Sequence, residues 1–240
     1  KRWEILPIDE KKQILLEKNL HISSSLAEIL TRKNLDENSA KLFLNPTKIP
    51  YHDPFLLKDM EKACQRLLLA LKNKEKICIY GDYDVDGVSS TALLMTVFTK
   101  LGFNIDYYLP DRHSEGYGLH IESLQKLIPK YDLLITVDCG ITALDEVDYA
   151  KDKIDMIITD HHLPREILPD AFAIINPTQT QCNYPNKNLC GVGVAFKLCQ
   201  GLYQSLNKDI HELENYLDIV ALGTIADIVP LVDENRRIVK

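Results

Sequence analysis

The sequence predicts an α/β fold: a parallel sheet flanked by helices on both faces, with an N-terminal helical extension. Three observations predict it. Up to residue 72 the apolar residues recur at helical spacing. From residue 75 short apolar runs alternate with helix-length stretches, the rhythm of a parallel sheet covered on both faces. The sharpest polar residues then fall at the carboxyl ends of those runs, where open parallel sheets build their sites.

Taken in order, Lys11–Leu20 carries Ile14, Leu15, Leu16 and Leu20 on a helical pattern. Ser23-Ser24-Ser25 offers a cap before Leu26–Leu30. Asp36-Glu37-Asn38-Ser39 opens a short helix that Asn45-Pro46 stops after Leu44. Leu56–Leu71 reads as a long amphipathic helix, apolar at 60, 63, 64, 67, 68 and 71. The expected strands are Ile77–Tyr80, Ile105–Leu109, Leu133–Val137, Met156–Thr159 and Ala173–Ile175. Helices are expected to start near Ser89, Leu119, Ala143 and Leu163, and two more to cover Val192–Gln204 and His211–Thr224.

Composition limits the class. A chain of 240 residues, 45% hydrophobic and 26% charged, is an ordinary globular chain of one large domain or two small ones. No apolar run approaches the roughly 20 residues that span a bilayer. Lys1-Arg2-Trp3-Glu4 shows no apolar leader region, and the missing Met marks a processed chain or a piece of a longer one. The six cysteines form no Cys-x-x-Cys pair and read as buried free thiols of a reducing cytoplasm. A zinc clip at Cys182 and Cys190 would need two further ligands. The net charge of −7 argues against a polyanionic partner, unless several of the acids hold metal ions.

The chemistry concentrates in Gly81-Asp82-Tyr83-Asp84-Val85-Asp86-Gly87, directly after the first expected strand. If that segment stays extended, alternation points Asp82, Asp84 and Asp86 to one side. Carboxylates so close repel unless a cation or a shared proton intervenes. Asp138-Cys139-Gly140 follows the third strand, Asp160-His161-His162 the fourth, and Asp227 ends the last helix. Each alone reads equally well as a cap or a turn. Four such clusters at matching positions make coincidence the weaker account. Aspartate and histidine suit Mn²⁺ or Mg²⁺. Two ions about 3.5–4 Å apart would activate a water and clamp a phosphoryl oxygen. Gly81 and Gly87 allow close approach of the backbone. Ser89, Ser90 and Thr91 either cap a helix or offer its N-terminus to a phosphate.

Together these residues resemble the DHH phosphoesterase superfamily, most closely its RecJ-type branch of single-strand-specific 5′→3′ exonucleases. Gly81–Val88, Val137-Asp138-Cys139-Gly140, Asp160-His161-His162 and Gly223-Thr224-Ile225-Ala226-Asp227 are similar to its four motifs. Pro110-Asp111-Arg112, Glu115–Gly118 and Cys190–Lys197 also resemble that branch. The resemblance implies two Mn²⁺ or Mg²⁺ ions among Asp82, Asp84, Asp86, Asp138, His161 and Asp227. Asp138 would bridge them, and Asp82 is either a ligand or a support. Asp160 would orient a neighbour, and His162 would stabilise charge on the scissile phosphate. Arg112 would be either a phosphate contact or a surface ion pair.

The resemblance further implies single-stranded DNA as substrate, in DNA repair and recombination. A single-strand-binding protein and a repair helicase would be partners, with no membrane partner, in a bacterial cytoplasm. On this reading residues 1–72 are a helical region, 73–228 the catalytic domain, and 229–240 the start of a connector to a second domain that closes the cleft. The alternative is a relative acting on pyrophosphate, short oligonucleotides or cyclic dinucleotides. Those place a His four residues before the middle acid, where this chain has Tyr80. A replication scaffold that has lost the acids is a third reading, disfavoured because every acid is present.

Overall fold

The computed structural model describes residues 7–112 and 114–240; the leader reading of residues 1–4 lies outside them. The chain divides into two units, residues 1–50 and 51–239. In the first, α1 (Glu10–Leu20), α2 (Ser24–Arg32) and α3 (Glu37–Leu44) close over Leu16, Ala27, Leu30 and Ala40. Each starts on a side-chain cap: Asp9 accepts from Lys12 N–H, Ser23 from Leu26 N–H and Asp36 from Ser39 N–H.

The second unit starts earlier than residue 73, because α4 (Met60–Asn73) belongs to it. There follow β1 (Lys76–Tyr80), α5 (Val85–Leu101), β2 (Asn104–Tyr108), α6 (Ile121–Leu127), β3 (Leu133–Val137), α7 (Leu144–Ala150), β4 (Asp155–Thr159) and β5 (Ala173–Ile175). Then come α8 (Gly191–Ser205), α9 (Leu217–Ala226) and α10 (Asp233–Val239). The strands form one parallel sheet in the order β2-β1-β3-β4-β5. Strand alternation sorts its two faces. Ile77, Ile79, Leu133, Ile135 and Ile157 pack with α4, α5 and α8, while Cys78, Tyr80, Leu134, Met156 and Ile158 pack with α6 and α7. The order reverses between β1 and β3, and such a switch point opens a crevice at the strands' carboxyl ends.

Three expectations are corrected. No helix starts near Leu163, since Pro164 and Pro169 break the segment, and Leu163 stays 79% exposed. The segment from His211 opens as a 3₁₀ helix, Ile210–Tyr216, before α9. Within residues 229–240, α10 packs in the second unit with Glu234 and Asn235 buried. Finally, α5 starts at Val85 rather than Ser89. The described helices include none long and apolar enough to cross a membrane.

Candidate metal centre

The chain leaves β1 and turns at once into α5, so the three early acids do not share a side by alternation. Asp84 is the N-cap, accepting from Gly87 N–H at 2.9 Å. Asp86 lies in the first helical turn, and Asp82 is buried before it. Gly87 is required here, because a Cβ would sit 2.6 Å from the Asp82 carbonyl oxygen and from its Cβ. Asp86 is held from the opposite side by the start of α8. Its carboxylate accepts from Gly191 N–H at 2.5 Å and Val192 N–H at 2.8 Å, donors that a helix N-terminus leaves free.

Asp138 follows β3 in a left-handed conformation, φ 61°, and His161 follows β4. His161 Nε2 is 3.1 Å from Asp138 Oδ1 and 3.8 Å from Asp86 Oδ2, and Nδ1 is 3.7 Å from Asp227 Oδ2. Three sets of ligand atoms converge: Asp82, Asp84 and Asp138; Asp138, His161 and His162; and Asp86, His161 and Asp227. Asp82 Oδ1, Asp138 Oδ1 and His161 Nε2 are buried without a well-formed hydrogen bond among the described residues, the last two facing each other at 3.1 Å. Buried polar atoms are normally bonded. Oxygen and imidazole donors converging in this way fit a hard or borderline divalent cation.

The DHH family, N-terminal domain, matches residues 76–224. The chain belongs to the DHH family. The single-stranded-DNA-specific exonuclease RecJ of Bacillus subtilis (strain 168) is 45% identical over 240 residues, covering 99% of this chain and 30% of the relative. RecJ of Haemophilus influenzae is 43% identical over 88% of this chain and 36% of the relative. The chain thus spans about a third of the length of these curated relatives. The crystal structure of RecJ in complex with Mn²⁺ from Thermus thermophilus superposes with TM-score 0.83 at 28% identity. It covers 99% of this chain and 34% of that one.

Within this DHH site, Asp160 is tied up. It accepts from the N–H groups of Ile141 (2.9 Å), His161 (2.7 Å) and His162 (3.1 Å) and pairs with His162 Nδ1 at 2.7 Å. It belongs to none of the three ligand sets. Ser89 and Ser90 are buried, and Ser90 Oγ donates back to the Asp86 carbonyl. The N-terminus of α5 is already capped by Asp84. Arg112 is exposed, its guanidinium 5.4 Å from the Tyr83 ring centroid. Cys182 and Cys190 are free and buried, as are the other four cysteines, and no ligand set among the described residues contains a Cys, which removes the zinc clip. The sequence reading missed Tyr117, whose hydroxyl lies 3.4 Å from the Asp138 carbonyl and 3.3 Å from His162 Nδ1. Its only signal in the sequence was its place in the Glu115–Gly118 stretch.

Electrostatics follow from burial. Desolvation pushes the Asp138 pKa up to about 10, with Asp86 and Asp84 adding to it. Desolvation likewise raises Asp82, Asp86 and Asp227. Burial works to raise Asp160 too, but the bonds from His162 and Ile141 outweigh it and hold that carboxyl below its ordinary value. In return, the Asp160 bond lifts His162 to about 9 against the effect of its own burial. Four of the five carboxyls in the ligand sets are thus shifted toward their protonated form, beside an imidazole that Asp160 chiefly holds charged.

Proposed function

We propose that this chain carries the catalytic centre of a metal-dependent exonuclease that hydrolyses single-stranded DNA from the 5′ end, in DNA repair and recombination. The observation that carries it is the convergence of Asp82 Oδ1, Asp138 Oδ1 and His161 Nε2, buried and without a well-formed hydrogen bond, within the three ligand sets. Asp82, Asp84 and Asp138 would hold one Mn²⁺ or Mg²⁺, and Asp86, His161 and Asp227 a second. Asp138 also shares a set with His161, which suits it to bridge the two. Bound ions of this kind lower the pKa of a water and polarise a phosphoryl group. The acids would then be neutralised, which lets a polyanion approach a chain of net charge −7.

His162 supplies the charge that the acids cannot. Its Nδ1 is fixed on Asp160, and its side chain is 44% exposed beside the cleft. A protonated imidazole there stabilises charge developing on a phosphate oxygen. Tyr80 is buried with its hydroxyl on the Gly118 carbonyl, so the position that carries a His in the small-substrate branches holds a packing residue here. In the same proposal a single-strand-binding protein and a repair helicase are partners of the whole protein in a bacterial cytoplasm, as the resemblance implies.

The test uses single strands labelled at either end, a duplex, and pyrophosphate, each with and without Mn²⁺. Mononucleotides released from the 5′ end of the single strand only, and lost in Asp138→Ala together with Mn²⁺ binding by calorimetry, are the expected result. Preferred turnover of pyrophosphate, or release from the 3′ end, overturns the substrate assignment.

A further inference from the structure

The stretch Cys190–Lys197 contains one cation, and it does not face the cleft. Lys197 is 1% exposed. Its Nζ donates to Glu234 Oε1 at 2.9 Å and to the His52 carbonyl at 2.7 Å, and lies 5.5 Å from the ring centroids of Tyr51 and Tyr184. Glu234 also accepts from the Tyr184 hydroxyl and from His52 N–H. A buried ion pair is tolerated only where its remaining bonds are satisfied, and these are. The pair therefore gives α10 one seating on α8.

The next residue uses that seating. Asn235 is buried, and its Nδ2 donates to two carbonyls, Asn188 O at 2.6 Å and Pro230 O at 3.1 Å. Asn188 lies three residues before Gly191, whose N–H holds Asp86 with that of Val192. Pro230 lies three residues after Asp227. One amide group therefore ties the segment whose N–H groups hold Asp86 to the segment that carries Asp227. The Asp227 segment needs such a tie. Ile228 is 87% exposed and has φ 57°, a left-handed conformation costly for a β-branched residue. Conformations of this kind persist only where surrounding structure imposes them.

We propose that Asn235, seated by the Lys197–Glu234 pair, is a positioning residue that sets the spacing between Asp227 and Asp86. The proposal rests on the metal reading above. Its consequence is selective. Of the two ion sites, the one formed by Asp86, His161 and Asp227 depends on the Asn235 tie. The one formed by Asp82, Asp84 and Asp138 takes its ligands from the segments after β1 and β3 and meets α8 only where Gly191 packs on Asp138, so it depends on the tie less.

Calorimetric titration with Mn²⁺ tests this without reference to activity. The wild-type chain is expected to bind two ions. Asn235→Ala should weaken one of them roughly 10- to 100-fold, the usual cost of removing a residue that orients metal ligands, and weaken the other markedly less. Asn235→Ser, which keeps a small polar side chain without the reach to Pro230, should show the same split and serves if the alanine variant does not fold. Leu124→Ala, a cavity on the far face of the sheet, controls for lost stability and should leave both affinities intact. If both affinities fall equally in Asn235→Ala, or neither falls while the melting temperature drops, Asn235 has a structural role only and the inference fails. If the wild-type chain binds no Mn²⁺, the metal reading fails and this inference with it.

Discussion

At the scale of single residues, Asp160 and His162 show how one chain turns similar groups to opposite uses. Asp138 and Asp160 both follow a strand and are both buried, yet burial dominates the first while four donors stabilise the second. Bonds donated to a carboxylate favour its charged form. The charge of His162 depends chiefly on that neighbour, with Asp138 and Asp227 adding to it. Asp160→Asn should therefore lower the His162 pKa in the metal-free chain from about 9 toward the ordinary value near ~6.5. Imidazole chemical shifts followed over pH measure this directly, and a His162 that still titrates near its original value would show that Asp160 is not the cause. The acids themselves were legible as residues that need a cation. The serines were not legible as buried, because only the packing of α5 shows that Ser90 turns back onto its own helix.

At the scale of elements, α8 does the most for the cleft. Its first two N–H groups hold Asp86, and its first residue has to be small. A Cβ on Gly191 would sit 2.6 Å from Asp138 Oδ1. Alanine gains about 0.5–1 kcal/mol over glycine inside a helix, whereas overpacking typically costs about 1–3 kcal/mol. The clash therefore wins. Gly191→Ala should lower stability to denaturant and weaken Mn²⁺ binding by displacing Asp138. Gly193→Ala, whose Cβ meets nothing closer than Leu189 side-chain atoms at 3.3 Å, should stay closer to neutral in both measurements. Equal effects from the two would remove the steric argument. The sequence marked this glycine stretch as a motif, but it carried no sign of which carboxylate faced it. That contact joins residues 86 and 191, which no local pattern relates.

At the scale of the whole molecule, the clustered acids make stability depend on pH and on metal. Asp82, Asp86, Asp138 and Asp227 all have raised pKa values, Asp138 to about 10. A raised folded pKa means the fold favours the protonated form. Its stabilisation is complete below the unfolded value, near ~3.9, and is lost as pH rises through the folded value. The metal-free chain should therefore melt at falling temperature between about pH 5 and pH 9. His162, raised to about 9, adds a loss of the same sign at the upper end. Mn²⁺ competes with those protons, so its affinity rises with pH and its stabilisation should offset the fall. Melting curves with EDTA and with Mn²⁺ across that range test this. Parallel curves in the two conditions would mean that the acids do not bind the ion.

The sheet, its parallel character and the acids and histidines at the strand ends could all be read from the chain unaided. These are local properties: apolar runs of strand length and residue types written in order. Packing was needed to establish that Asp84 caps α5 while Asp86 enters it, and that His161 reaches acids from three separate segments. It was needed again to show that α10 folds back so that Asn235 ties the start of α8, which holds Asp86, to the Asp227 segment. Apart from the Asp84 cap, which is local, these depend on which distant groups meet a buried polar atom. A linear chain does not contain that choice until packing has removed the water that would otherwise satisfy them all.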